Sequence, residues 1–178
     1  MKKIYGGEKV ESAIENMAEQ IKNRGFDKSK IGILGIRNKG VIVARRLADS
    51  LNKKLGGDVE FGSIDITFYR DDITIRGPEA VPVVGVTEIN FDINHKIIIL
   101  ADDVLHTGRS CRAAMDAVVE FGRPAKIMLA VLLDRGGREF PIQADFVGDY
   151  FDNLAEDELL TVKFREVEGK DGIFIDSK

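Results

Sequence analysis

What this chain has little of narrows the possibilities first. A single cysteine, Cys111, among 178 residues rules out an internal disulfide framework and a cysteine-rich zinc site. No apolar run approaches the ~20 residues of a membrane span, and the opening Met-Lys-Lys-Ile-Tyr-Gly-Gly lacks the apolar stretch of a signal peptide. The expectation is a cytoplasmic protein with no membrane partner. No Gly-x-x-x-x-Gly-Lys-Ser/Thr loop occurs, which removes a P-loop nucleotide site, and no Gly-x-Gly-x-x-Gly follows a strand, which removes a dinucleotide fold. Internal repeats and low-complexity linkers are missing too.

An excess of charge of one sign is also missing from most of the chain. The net charge is -4, yet residues 149–178 hold four Lys/Arg against nine Asp/Glu, which leaves 22 against 21 elsewhere. That balance demands no nucleic-acid partner. With 44% hydrophobic and 31% charged residues, one domain over 1–178 with an ordinary core is expected.

What is present is an alternation of buried strands and amphipathic helices. Val10, Ile14, Met17, Ala18 and Ile21 share a helical face over 7–24, with Gly25 placed to end it. Ile31-Gly-Ile-Leu-Gly-Ile-Arg37 reads as a buried strand, and Asn38, Lys39 and Gly40 turn into a helix carrying Val41, Ala44, Ala48, Leu51 and Leu55 inward. Residues 61–69 read as a strand ending at Arg70. The mixed stretch 71–82 is either a long hairpin tip or a mobile loop over a site. A helix from about Ser110 to Phe121 buries Ala114, Met115, Val118 and Phe121, with Gly122 closing it. Strands follow over 126–134 and 145–148, then two weaker ones over 159–166 and 172–176. The fold class expected is α/β, a mostly parallel sheet flanked by helices with a small β appendage.

The chain centres on Ile97-Ile-Ile-Leu-Ala-Asp-Asp-Val-Leu-His-Thr-Gly-Arg-Ser110. A fully apolar run is a strand buried on both faces, and in α/β sheets ligands sit beyond the carboxyl ends of such strands, where Asp102 and Asp103 are expected to stand. Thr107, Gly108 and Ser110 suit main-chain amides converging on an anion at a helix N-terminus. Carboxylates for hydroxyls or a metal beside a nest for phosphate fit a sugar phosphate. The plain alternative is that the aspartates only cap the following turn.

These residues also carry a family resemblance. The 98–110 stretch is similar to the phosphoribosyl pyrophosphate (PRPP) signature of type I phosphoribosyltransferases. Together with Ser63-Ile-Asp-Ile-Thr-Phe-Tyr-Arg-Asp-Asp72, Arg112-Ala-Ala-Met-Asp116, Gly122-Arg-Pro-Ala125 and Leu129-Ala-Val-Leu-Leu-Asp-Arg-Gly136, it resembles the PyrR family of bifunctional pyrimidine-operon attenuators and uracil phosphoribosyltransferases, from about Lys9 to Gly148.

The resemblance implies a type I phosphoribosyltransferase fold with a β-rich hood from the C-terminal part, the N-terminus being a second contributor to consider. It implies conversion of uracil and PRPP to UMP and pyrophosphate with Mg²⁺, in a homo-oligomer, a dimer or larger. Asp102 and Asp103 would hold the ribose hydroxyls, directly or through solvent around the metal, and stabilise positive charge on the ribose. Leu105, His106, Thr107, Gly108, Arg109 and Ser110 would take the 5-phosphate. Arg37, Asn38, Lys39 and Gly40 would receive pyrophosphate, and Arg70 would swing onto it as a catalytic group. For Lys39 and Arg70 the plain alternatives are a solvated turn residue and a structural ion pair. Asp134, Arg135, Gly136 and Gly137 would face the base.

Two departures from the family pattern stand out. Gly137 replaces a common histidine, and His106 sits where an aromatic is usual, more a shaped loop residue than a general base. Cys111 and His95 read as inert. The other possible partner is pyr leader RNA, with the protein acting mainly as a nucleotide-sensing attenuator. Gln143, Asp149 and the acidic 149–158 segment weaken that alternative, while Arg24, Lys28, Lys30, Arg45, Arg46 and Arg138 are candidates for a basic patch.

Overall fold

The computed structural model describes residues 1–71, 85–151, 154–155 and 158–177. The 71–82 stretch beyond Asp71, and residues 152, 153, 156 and 157 of the acidic segment, lie outside the described residues. The chain begins with β1 (Lys2–Gly6), α1 (Gly7–Lys22), β2 (Ile31–Ile36), α2 (Gly40–Leu55) and β3 (Glu60–Ile64). It continues through β4 (Ile97–Leu105), α3 (Arg109–Val119), β5 (Lys126–Asp134) and β6 (Phe146–Tyr150). It ends with β7 (Glu158–Lys163), the single turn α4 (Arg165–Glu168) and β8 (Gly172–Ser177).

The apolar runs form a five-stranded parallel sheet in the order β3-β2-β4-β5-β6. Strand periodicity sorts their side chains into two cores. Ile33, Ile99, Ala101, Met128 and Ala130 pack with α1 and α2. Leu34, Ile98, Leu100, Leu129 and Val131 pack with α3 on the opposite face. The expected helical face of α1 is buried in full. Burial on both faces is why these strands carry continuous apolar runs.

The second sheet is antiparallel, in the order β1-β8-β7. Its Leu160, Val162 and Ile173, with Phe164 beyond β7, belong to the same core as α1 and α2. Arg46 on α2 donates to Glu166 at 2.8 and 2.6 Å and to Asp171 at 3.1 and 2.7 Å, tying this hood to the main body. The N-terminus contributes β1. Among the described residues no helix is long and apolar enough to cross a membrane.

Three element boundaries differ from expectation. The strand expected over 61–69 stops at Ile64, because the Asp65 carboxylate accepts the Thr67 amide at 2.6 Å and turns the chain into a short 3-10 helix, Thr67–Tyr69. Phe121 is 51% exposed rather than buried. The helix tightens at its end through Glu120 N–H to Ala117 C=O and Phe121 N–H to Val118 C=O bonds, which swings Phe121 outward. The strand expected over 159–166 ends at Lys163, where Glu168 accepts the Phe164 amide at 2.8 Å and starts α4.

Candidate functional site

The site begins where β4 outruns its neighbour. Pairing of β2 with β4 ends at Gly35 opposite Ala101, while pairing of β4 with β5 continues to Leu105 opposite Asp134. Asp102 and Asp103 therefore lie inside β4 rather than beyond its end, a correction that follows from β5 holding the strand for four more residues. On the β2 side they have no strand partner among the described residues. The Arg37–Asn38–Lys39–Gly40 turn crosses that gap instead, with Gly40 packed on the Ala101 and Asp102 backbone. The Arg37 amide donates to Ile64 C=O at 3.0 Å, and the Arg37–Asn38 peptide is cis.

Both carboxyl groups feel their burial. Asp102 is pushed well above the usual carboxylate range by burial and by repulsion from Asp103, against the Asp103 amide bond at 2.9 Å and the charge of Arg70. Burial also raises Asp103, opposed by the charge of Lys39. Arg70 and Lys39 are thus within electrostatic reach of the pair. Cationic charge arriving here would favour the ionised forms that burial disfavours.

The cations of the turn are themselves held. Lys39 Nζ donates to Val162 C=O of β7 and lies 3.4 Å from Glu168, linking the turn to the hood. The Arg37 guanidinium donates to Val86 C=O, and its charge acts on Asp65. Asp65 and Glu168 escaped sequence reasoning. The one signal was the Asp65-x-Thr67 spacing of an Asx turn.

Residues 106–108 join β4 to α3; the N-cap Gly108 brings no side chain, and the Thr107 hydroxyl accepts from the Arg109 amide at 3.3 Å. Ser110 lies in the first helical turn. Thr107 C=O accepts from Glu139 N–H and Phe140 N–H, both at 3.0 Å, and Leu105 C=O accepts from Arg135 N–H at 3.0 Å. The two loops at the carboxyl ends of β4 and β5 are thereby bonded to each other. The Arg109 guanidinium turns to the surface, donating to Glu139 at 2.7 Å and pairing with Asp71.

Arg138 organises the second loop. Its guanidinium donates to Ile142 C=O at 2.9 Å, His106 C=O at 2.9 Å, Gly136 C=O at 3.3 Å and the Asp134 carboxylate. Asp134 also accepts the Gly136 amide at 3.0 Å. Arg138 is therefore an internal clamp and no part of an open basic patch, and Arg46 is withdrawn from such a patch by its carboxylates. Arg45 and Arg24 lie over the Phe61 and Phe146 rings at 4.9 and 5.6 Å. Cys111 is buried, and burial pushes its thiol far above the usual range, so it is no nucleophile. Among the described residues no cluster of three or more His, Cys, Asp or Glu side chains could hold a metal.

Residues 1–155 match the Phosphoribosyl transferase domain family. The chain is 46% identical over 175 residues to the Bifunctional protein PyrR of Roseiflexus sp. (strain RS-1), covering 98% of this chain and 94% of that one. It is 47% identical over 174 residues to the Bifunctional protein PyrR of Ligilactobacillus salivarius, covering 97% and 96%. The fold is similar to a hypoxanthine-guanine phosphoribosyltransferase from Bacillus anthracis, with a TM-score of 0.65 at 18% identity, covering 86% and 84%. With the domain matched over residues 1–155 and relatives at 46–47% identity over nearly the whole chain, this chain belongs to the PyrR family.

Proposed function

We propose that this protein transfers the ribosyl 5-phosphate of PRPP to uracil, releasing pyrophosphate and forming UMP. The observation that carries this reading is that the 37–40 turn packs on Asp102 through Gly40 while the 105–107 segment that follows the two carboxylates is bonded to the 135–140 loop. Leaving-group, phosphate and base subsites then surround one carboxylate pair. As the bond to pyrophosphate lengthens, positive charge grows on the ribose, and the buried carboxylates gain most from it at that moment. The 5-phosphate sits at the start of α3, where the N-terminal amides and the helix dipole favour an anion. Arg70 neutralises the departing pyrophosphate, and main-chain groups of 134–137 read the edge of uracil. We take residues 1–178 as one domain in a cytoplasmic homo-oligomer, which light scattering checks.

The donor set fits magnesium. Two adjacent carboxylates, with no cluster of three His, Cys, Asp or Glu among the described residues, suit an ion that keeps several waters and takes other oxygens from substrate. Asp102 and Asp103 would hold it through intervening water. When bound it supplies charge neutralisation to the diphosphate.

The relatives are bifunctional, and the second function carried over from the family resemblance is UMP-dependent binding of pyr leader RNA. Pyrophosphate release from PRPP and Mg²⁺, with uracil, hypoxanthine, guanine and orotate in parallel, tests the first function. Release with uracil alone is expected. No release in a protein that still binds PRPP or UMP would make it a nucleotide-sensing RNA regulator instead.

A further inference from the structure

The 106–108 loop and the 136–137 turn meet through one side chain. Gly137 has φ +71°, and a Cβ built on it would lie 2.8 Å from Nε2 and 2.9 Å from Cδ2 of His106. The imidazole fills the volume that any side chain at 137 would need. Gly136, with φ +69°, has nothing within 4 Å of its own Cβ position, so the close approach of the ring is specific to Gly137, which is otherwise exposed. Arg138 Nη1 meanwhile donates to His106 C=O at 2.9 Å and Gly136 C=O at 3.3 Å, fastening the same two segments through their backbones.

We propose that His106 is a positioning residue for the base: its ring packs on Gly137 and holds the Gly136–Gly137 main chain in the orientation that reads the pyrimidine edge. This rests on the assignment of 134–137 as the base loop. Two consecutive glycines at positive φ have the widest backbone freedom and bring no side chain of their own to limit it. A ring lent by the phosphate loop supplies that limit. The 5-phosphate and the base then meet one rigid unit, and His106 acts on base affinity although it lies in the phosphate segment of the chain.

The test compares His106→Ala and His106→Phe with the parent protein. Hydrogen exchange of the peptide covering 134–140 is followed in ligand-free protein, and UMP and ribose 5-phosphate binding are measured by calorimetry. His106→Ala is expected to speed exchange and weaken UMP about tenfold while ribose 5-phosphate, whose phosphate would be held at 106 by the main-chain amide that alanine keeps, stays within about twofold. His106→Phe, which keeps a ring in the slot, is expected to restore both. Unchanged exchange, an equal loss of both ligands, or a phenylalanine no better than alanine would overturn the proposal. A parent protein that binds ribose 5-phosphate but not UMP would defeat the uracil assignment, whereas the exchange comparison needs no ligand and still decides the packing role.

Discussion

A Cβ on Gly40 would lie 3.2 Å from Oδ1 of Asp102 and 2.5 Å from the carbonyl oxygen of Ala101. The glycine is what lets α2 start directly against β4, so the turn reaches the carboxylates through its backbone. Gly40→Ala forces the two segments apart. The contacts at 2.5 and 3.2 Å are with backbone and a buried carboxylate, which cannot swing away as a surface side chain would. The expected stability loss is about 1–3 kcal/mol, the usual range for overpacking. Activity should fall further than stability alone explains, which thermal melts alongside pyrophosphate release will show.

Asp103→Asn keeps shape and removes charge. If the pair stabilises a cationic ribose, kcat should fall by about 10²–10³, the equivalent of ~3–4 kcal/mol of preorganised electrostatic stabilisation. The melting temperature should not fall, since burial already disfavours the ionised form. Steady-state kinetics with uracil decide this, and near-normal turnover removes the carboxylates from the centre of the mechanism.

The hood should loosen in acid. Arg46 holds Glu166 below its ordinary 4.5, and at Asp171 the bonds from Arg46 and the Arg165 amide outweigh burial to hold it below 3.8. Both carboxyls are more acidic folded than unfolded, so their stabilisation is whole above those ordinary values and is lost as pH falls through the lowered ones. Most of it comes from Asp171, because the Glu166 side chain is 39% exposed and screened by solvent. Arg46→Gln should cost about 2–3 kcal/mol at neutral pH, the low side of breaking a buried pair. Melting curves of both proteins from pH 7 downward should converge in acid.

The parallel sheet was legible because continuous apolar runs such as 31–36 and 97–101 have one structural meaning, and α1 because its face repeats at helical spacing. The carboxylate pair and the glycine turn were legible as motifs. What sequence left dark were contacts made across long separations. Lys39 reaching Val162, and Arg138 reaching back to His106, depend on how loops from different strands meet. Composition likewise offered Arg46 and Arg138 to a basic patch, since a charge count does not distinguish a solvated guanidinium from one bonded to Asp171 or Asp134.

RNA binding should be weak. Arg46 and Arg138 are spent on internal carboxylates and carbonyls, and Lys28 donates to Gly56 C=O at 2.6 Å, so few of the candidate cations are left to neutralise phosphates. Each missing contact lowers the single-strand salt slope by about 0.7. Gel shifts with a pyr leader RNA across a salt series should give micromolar affinity and a shallow slope. Nanomolar, UMP-dependent binding would show that the basic surface is built from other residues.

Arg138→Lys tests the clamp between the two loops. A guanidinium spans four acceptors here, on Asp134, Gly136, His106 and Ile142, whereas an ammonium on a flexible stem cannot serve that spread. These carbonyls are half-buried, so leaving them without a donor costs about 1 kcal/mol, the low end of the range for buried groups. The loss should appear as a lower melting temperature together with a raised KM for uracil, because the 134–137 segment is held from Arg138. The KM for PRPP should move less, since Thr107 keeps its own bonds from Glu139 and Phe140. A lysine variant with unchanged stability and unchanged KM for uracil would mean that the backbone bonds alone keep the two loops together.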